Sequence, residues 1–242
     1  MIQKTAAVAD PVIFIPGLMQ DARAFLPQIV ALGIRHAAQI YLPVQDNVER
    51  MSEEALAHAP PKFALIGHGL GGTVALDILR RAPDRVTRIV LLATDPLAEP
   101  PQMAALREAR MVAAQSGRLK AAIAQDVPLD ALADTPDRAA VQALMQDMAL
   151  GLGEGIYLRQ CRALQRRPDH QRTLARATVP TLFLAGLSDT LLPLRRQEFA
   201  RDLMPSSALK LIDGAGHLPM LEAPDAVSTA IEGFLSGPLI LR

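Results

Sequence analysis

The chain has 242 residues, of which 50% are hydrophobic and 21% charged, which is typical of a folded domain and unlike a disordered segment. Lys and Arg together number 25, as do Asp and Glu, so no surplus of charge attracts nucleic acid or an anionic membrane. No apolar run approaches the roughly 20 residues that a membrane helix requires. Cys161 is the only cysteine and the N-terminus lacks a secretory signal pattern, so we expect a cytoplasmic protein.

Six short runs of aliphatic or β-branched residues, bounded by Pro, Gly or charged residues, predict β-strands. They lie at residues 12–15, 38–42, 63–66, 88–93, 181–185 and 208–212. Helical patterns separate them at about residues 22–32, 48–57, 70–81, 195–203 and 223–235. This alternation is typical of a parallel sheet covered by helices on both faces, so the predicted fold class is α/β.

Residues 95–179 interrupt the alternation, because they carry Ala, Leu, Met, Gln and Arg at helical spacing and no good strand pattern. Pro and Gly divide this segment into about four or five helices. We therefore predict a helical cap at residues 95–179, inserted into a core domain formed by residues 1–94 and 180–242.

Five methionines are candidates for the wall of a substrate pocket, although methionine at helical spacing also simply fills a core. These residues are Met19, Met103, Met111, Met145 and Met148. Because aromatic residues make up only 3% of the chain and Trp is absent, we expect an aliphatic pocket.

The segment at residues 63–73 reads FALIGHGLGGT, a predicted strand that runs through a glycine-rich turn into a helix. A sharp turn of this kind needs small residues two positions before and two positions after its apex, and Gly67 and Gly71 meet that need. In the G-x-S-x-G nucleophile elbow the apex is a serine, whereas here it is Gly69. The sequence therefore places no nucleophile at the catalytic position of such an elbow.

Three further features match what such an elbow needs, and the nucleophile position, the acid and the base follow one another in that order along the chain. The strand at residues 12–15 opens into a Gly turn, where the backbone N–H of Leu18 can join that of Leu70 to bind an oxyanion. Asp189 follows a late strand, where a carboxylate can orient an imidazole. His217 lies in a Gly loop before the last helix and is the candidate base.

This arrangement resembles the α/β-hydrolase superfamily over essentially the whole chain, and residues 16–23, PGLMQDAR, are similar to a bacterial subgroup of capped carboxylesterase-like proteins. The resemblance implies an esterase or thioesterase of the Ser-His-Asp type that acts on a small-molecule or acyl ester without a cofactor. It also implies a sheet of six or seven strands, because the opening hairpin is absent or reduced to residues 3–9. We expect a monomer or a homodimer.

Gly69 leaves it undetermined whether the chain is catalytically active, because a glycine cannot attack a carbonyl and gives His217 no hydroxyl proton to accept. One hypothesis is an engineered, inactive form of a serine hydrolase, made to trap a substrate or product. The alternative is a natural relative that binds a ligand and has lost catalysis. A third hypothesis is that His217 activates water directly or acts as a base on a bound ligand.

The glycines also fit the dinucleotide-binding pattern G-x-G-x-x-G, from Gly67 to Gly72, with Asp95 as the acidic residue of that motif. Against this interpretation, the motif follows the third predicted strand and leaves the loops of Asp189 and His217 unexplained. Asp95 is also a second candidate for the acid that orients His217. We expect His68 to pack beneath the turn, and no Cys or His cluster predicts a metal site.

Overall fold

The computed structural model describes residues 9–33 and 35–237. Within them, six parallel strands form one sheet in the order β2-β1-β3-β4-β5-β6. The strands are β1 (Val12–Ile15), β2 (Ala38–Ile40), β3 (Phe63–His68), β4 (Val86–Leu92), β5 (Thr181–Gly186) and β6 (Ser207–Ile212). The predicted α/β class is confirmed, while the expected remnant of a hairpin at residues 3–9 lies, except for Ala9, outside the described residues.

The central strands are apolar at consecutive positions because both faces of the sheet are covered. In β1, Val12 and Phe14 pack into the core on one face, and Ile13 and Ile15 pack into the core on the other. The edge strand β2 is more exposed and pairs only with β1. It ends at Ile40, earlier than predicted, shortly before Pro43, which has no N–H to donate to a neighbouring strand.

Helices cover the two faces of the sheet. The helices outside the long β4–β5 connection are α1 (Leu26–Leu32), α2 (Val48–His58), α3 (Leu70–Arg81), α9 (Leu194–Asp202), α10 (Pro219–Glu222) and α11 (Pro224–Ser236). The helix predicted at residues 22–32 differs in its first turn, which is a 3₁₀ turn at Ala22–Phe25 capped by the Asp21 carboxylate. The predicted helix at residues 70–81 is confirmed at both ends.

The connection between β4 and β5 is helical. It contains α4 (Pro101–Ala113), α5 (Leu119–Asp126), α6 (Arg138–Leu152), α7 (Glu154–Gln165) and α8 (Gln171–Arg176). We call residues 95–179 the helical insertion. A π-helical turn at Ala114–Arg118 separates α4 from α5, and Gly117 adopts a φ of 77° there. None of the helices in the described part of the chain is long and apolar enough to cross a lipid bilayer.

Helix α3 approaches the sheet so closely that its first turn has no room for a side chain at Gly71 or Gly72. A Cβ atom at Gly71 would overlap the carbonyl oxygen of Ile15, and one at Gly67 would lie 2.6 Å from the carbonyl oxygen of Gly71. A Cβ at Gly72 would overlap the side chain of Thr94. Because the first two obstacles are backbone atoms, the approach of α3 depends on the absence of these Cβ atoms.

We expect Gly71→Ala to lower the free energy of unfolding by about 3 kcal/mol, at the upper end of overpacking effects, because neither backbone segment can yield. Gly233→Ala in α11 is the matched control, since its Cβ meets nothing within 4 Å and it should stabilise the helix by about 0.5–1 kcal/mol. Urea unfolding of both variants measures the difference. Equal stabilities would contradict the close approach.

Candidate active site

A cavity of about 340 Å³ lies at the carboxyl ends of the strands, where open α/β sheets bind ligands. Its wall includes Leu18 after β1, Gly69 after β3, Leu192 after β5 and His217 after β6. The helical insertion contributes further residues, among them Met103 of α4. Residues from distant parts of the chain therefore meet in one cavity.

Gly69 forms the apex of the turn between β3 and α3, with φ of 50° and ψ of −112°. Its N–H donates to the carbonyl oxygen of Leu92 at 3.0 Å, and its own carbonyl accepts the N–H of Thr73 at 3.1 Å. A Cβ atom built at Gly69 has no heavy atom within 4 Å. The turn thus has the strained conformation of an elbow and open space where an apical side chain would stand.

His217 and Asp189 form a hydrogen-bonded pair, with 3.0 Å between Nδ1 of His217 and Oδ2 of Asp189. The other carboxylate oxygen of Asp189 accepts the N–H groups of Leu191 and Leu192 at 2.9 and 3.0 Å. Burial acts to raise the pKa of Asp189, but the charge and hydrogen bond of His217, with the two N–H donors, hold it below its usual value. The carboxylate is therefore ionised and fixed in orientation towards the imidazole.

The loop that carries His217 is bound to the helical insertion. The N–H of His217 donates to the carbonyl oxygen of Ala131 at 2.8 Å. Glu222 accepts three further backbone N–H groups, from Ala133 at 2.7 Å, Gly216 at 3.0 Å and Leu218 at 2.8 Å. Burial raises the pKa of Glu222 although these bonds act in the opposite direction. One carboxylate thus holds both the His217 loop and the start of the segment leading to α6.

The turn after β1 presents the backbone N–H of Leu18, which, like the N–H of Leu70, has no acceptor among the hydrogen bonds of the described residues. Met19 has a φ of 54°, unusual for a residue other than glycine. The buried side chain of Gln160, in α7, accepts the N–H of Met19 at 2.8 Å and donates to the carbonyl oxygen of Pro43 at 2.8 Å. Gln160 therefore stabilises the strained turn, and nothing in its sequence context indicated this.

His68 lies beneath the elbow and is 2% exposed. Its Nε2 is 2.9 Å from the carbonyl oxygen of His217, and the two imidazole rings meet edge to face at 5.3 Å. Burial, together with the neighbouring His217 charge, lowers the pKa of His68 to about 3. A neutral His68 therefore donates from Nε2 and supports the His217 loop from below.

The methionine candidates separate into two groups. Met103 lies in the wall of the cavity and is 40% exposed. The other four are buried in the hydrophobic core rather than in the cavity wall, namely Met19, Met111, Met145 and Met148. Methionine at helical spacing does not distinguish a pocket wall from a core, which is why the sequence could not separate them.

The composition of the chain predicted an aliphatic pocket, but the wall of the cavity also carries many charged side chains. It contains five arginines together with three carboxylates. These residues are Arg107, Arg110, Arg167, Arg195, Arg196, Asp95, Glu99 and Asp126. Asp95, the second candidate for the acid, faces Arg167 and Arg196 in this cluster. No local sequence pattern indicated the cluster, because its members come from the β4–α4 loop, the α7–α8 loop and helices α4, α5 and α9, which only the tertiary structure brings together.

An α/β-hydrolase fold is defined by three features of this structure. They are the parallel sheet covered on both faces, the elbow after β3, and the pair of Asp189 and His217 at the carboxyl ends of the strands. The family described as Hydrolase_4, serine aminopeptidase S33, matches residues 34–224, and the chain belongs to this family. In this fold the glycines from Gly67 to Gly72, which also fit the dinucleotide-binding pattern, form the elbow between β3 and α3.

Relatives of known name are ester and carbamate hydrolases. The chain is 29% identical over 208 residues to a pimeloyl-[acyl-carrier protein] methyl ester esterase of Aromatoleum aromaticum, which covers 79% of this chain and 81% of that protein. It is 28% identical over 251 residues to a putative carbamate hydrolase, RutD, of Agrobacterium fabrum, over 96% of this chain and 95% of that protein. These relatives, like the matched family, are hydrolases by name.

Solved structures share the fold. A thermophilic esterase from Thermogutta terrifontis superposes with a TM-score of 0.81 at 24% identity, over 94% of this chain and 90% of that one. The enol-lactonase from Burkholderia xenovorans superposes with a TM-score of 0.82 at 19% identity, over 94% of this chain and 92% of that one. At these identities the likeness concerns the fold alone.

The pairing of Asp189 with His217 predicts a pH dependence of stability. Because the pKa of Asp189 is lowered on folding, its ionised form stabilises the fold above its unfolded value of about 3.9, and this contribution is lost as the pH falls through the folded pKa. Urea unfolding between pH 2 and 7 should show that Asp189→Asn lowers stability most at neutral pH and least in acid. The exposed Asp213, changed to Asn, is the control, and the same pH profile for both variants would contradict the pairing.

Glu222→Gln should lower the free energy of unfolding by about 1–3 kcal/mol, because the amide NH₂ would face a backbone N–H that loses its acceptor. Hydrogen exchange at residues 131–133 and 216–218 should accelerate together. Glu232→Gln in α11, which affects only an ion pair with Arg35, is the control. Unchanged exchange in both segments would show that Glu222 does not hold them.

Proposed function

We propose that this chain is a serine-hydrolase-type esterase or thioesterase scaffold in which glycine stands at the nucleophile position. The observation that carries the proposal is the pair of His217 and Asp189, joined at 3.0 Å, which borders the same cavity as the open apical position of the elbow. The names of the esterase relatives support a small-molecule or acyl ester as the substrate.

In the Gly69→Ser variant the new hydroxyl has a defined course of reaction. Its oxygen forms a bond to the ester carbonyl carbon while its proton passes to Nε2 of His217, whose Nδ1–H donates to Asp189. The carbonyl oxygen becomes an oxyanion that accepts the N–H groups of Leu18 and Leu70. The intermediate then expels the alcohol or thiol, which takes the proton from His217, and water releases the acyl group by the same steps.

The chain as it stands keeps the base and the backbone donors but lacks the attacking oxygen. Hydrolysis of the kind that remains without one member of a triad, roughly 10³ to 10⁴-fold faster than in water, is the most that we expect. Glycine also relieves the elbow, because any other residue at a φ of 50° costs about 1–3 kcal/mol. With glycine in place of serine at position 69, the protein therefore loses turnover, gains stability and keeps its ligand-binding cavity.

We propose further that the helical insertion acts as a cap over the cavity. Arg107 of α4 and Leu164 of α7 contribute to the cavity wall. Hydrogen bonds join the insertion to the site, from His217 to Ala131, from Met19 to Gln160 and from Ala133 to Glu222. A substrate held in the cavity is then shielded from water by the same segment that positions the base.

A second candidate function is a ligand-binding protein without catalysis, in which Gly69 is native. The observation that favours it is Gly69 itself, since a complete cavity with no nucleophile binds without reacting. The two candidates differ in how the serine variant behaves, because a pocket that has changed for binding alone no longer places an ester carbonyl beside the apex.

Activity of Gly69→Ser towards a short-chain nitrophenyl ester tests the proposal. We expect kcat/KM to rise by on the order of 10³ or more over the parent chain, because the base and oxyanion donors are already in place. Gly69→Ala is the matched control, because it adds the same Cβ without the hydroxyl and should stay inert.

Two further measurements separate chemistry from folding. His217→Ala in the serine background should abolish the gained activity, and both apical variants should unfold about 1–3 kcal/mol more easily than the parent because of the positive φ. A serine variant that folds but stays as inert as the alanine variant across several acyl lengths would favour the ligand-binding protein.

A further inference from the structure

The charges in the wall of the cavity do not balance. Five arginines face three carboxylates, so two positive charges have no acidic counterpart in the wall. The whole chain has a net charge of zero, which means that the excess is local. Arginines concentrated in a concave site of low dielectric produce a strong local field.

The arginines of α4 are closely paired. Arg107 contacts Glu99 at 2.8 Å, and Arg110 contacts Asp126 at 2.8 Å. Burial alone would lower the pKa of Arg107, but Glu99 and Asp126 outweigh it and raise that pKa. These two arginines are therefore neutralised by the protein and leave the excess charge to others.

Two of the remaining three arginines, Arg167 and Arg196, share one carboxylate at the limit of ion-pair distance. Asp95 lies 3.5 Å from Arg167 and 3.6 Å from Arg196, and its Oδ1 accepts the N–H of Leu97 at 3.1 Å. Arg195 has no ion-pair partner among the described residues. Burial lowers the pKa of Arg167, although the charges of Glu99 and Asp95 act in the opposite direction, whereas the carboxylates beside Arg107 outweigh burial and raise its pKa. The positive charge here is thus incompletely compensated.

We propose that Arg167, Arg195 and Arg196 form a subsite for an anionic group of the ligand, so that the cavity takes an ester or thioester whose acyl or alcohol part carries a carboxylate or phosphate. A guanidinium binds either group through paired hydrogen bonds. The subsite borders the same cavity as Gly69 and His217, so one ligand reaches both. The ester part of this inference rests on the proposed function, whereas the anion subsite does not.

Calorimetric titration of the parent chain tests the subsite, because Gly69 allows an intact ester to be studied at equilibrium. The probes are monomethyl glutarate, neutral dimethyl glutarate and methyl 3-phosphonopropionate. We expect the two anionic esters to bind about tenfold more tightly than the neutral one and to weaken in high salt. The ratio between the carboxylate and phosphonate probes identifies which anion the subsite prefers.

Three variants test whether the preference for anionic probes comes from the proposed arginine subsite. Arg196→Gln should weaken the anionic probes about five- to tenfold and leave the neutral probe unchanged. Arg201→Gln is the matched control, because Arg201 lies on the same helix with a similarly exposed side chain, 41% against 36%, outside the cavity wall. Asp95→Asn should tighten binding of the anionic probes, a gain that damage to the fold would not produce.

Equal affinity for anionic and neutral esters, or no effect of Arg196→Gln, would overturn the inference. Its failure is distinct from failure of the proposed function. If Gly69→Ser hydrolyses neutral esters but no anion preference exists, only the subsite is wrong. If anionic probes bind but Gly69→Ser stays inert, the subsite stands and the chain is a binding protein.

Discussion

The close backbone contact between α3 and the sheet is the constraint on which the site depends. Without Cβ atoms at Gly67 and Gly71, the helix begins almost against β1, and the chain can enter it only through a strained turn at Gly69. That turn fixes where an apical side chain would stand. The elbow thus keeps its shape because neighbouring packing imposes it, although the apex itself is glycine.

The helical insertion shares one hydrophobic core with the sheet, and hydrogen bonds to backbone groups join it to the loops of the site. Ala131 accepts the N–H of His217, and Gln160 accepts the N–H of Met19. Each bond ties a loop of the core to a segment of the insertion. The positions of the His217 loop and of the turn after β1 therefore both depend on the position of the insertion.

Each of the buried charges at the site is compensated, fully or in part, by the groups next to it. Asp189 is ionised because His217 and two N–H donors compensate its burial, and Arg107 is held by Glu99 and Asp126. At Arg167 the charges of Glu99 and Asp95 do not outweigh burial, and its pKa is lowered. A buried charge without a full counter-charge lowers the stability of the free protein. A ligand that supplies the opposite charge restores that stability, which is a common property of binding sites.

The sequence by itself determined the strand and helix order, the elbow and the candidates Asp189 and His217, because local periodicity and glycine spacing carry that information. The tertiary structure alone decided that Asp189 rather than Asp95 meets the imidazole. It also assembled the five arginines of the cavity wall, which lie between residues 107 and 196 of the chain. Such contacts depend on how distant elements pack, and no pattern of neighbouring residues encodes them.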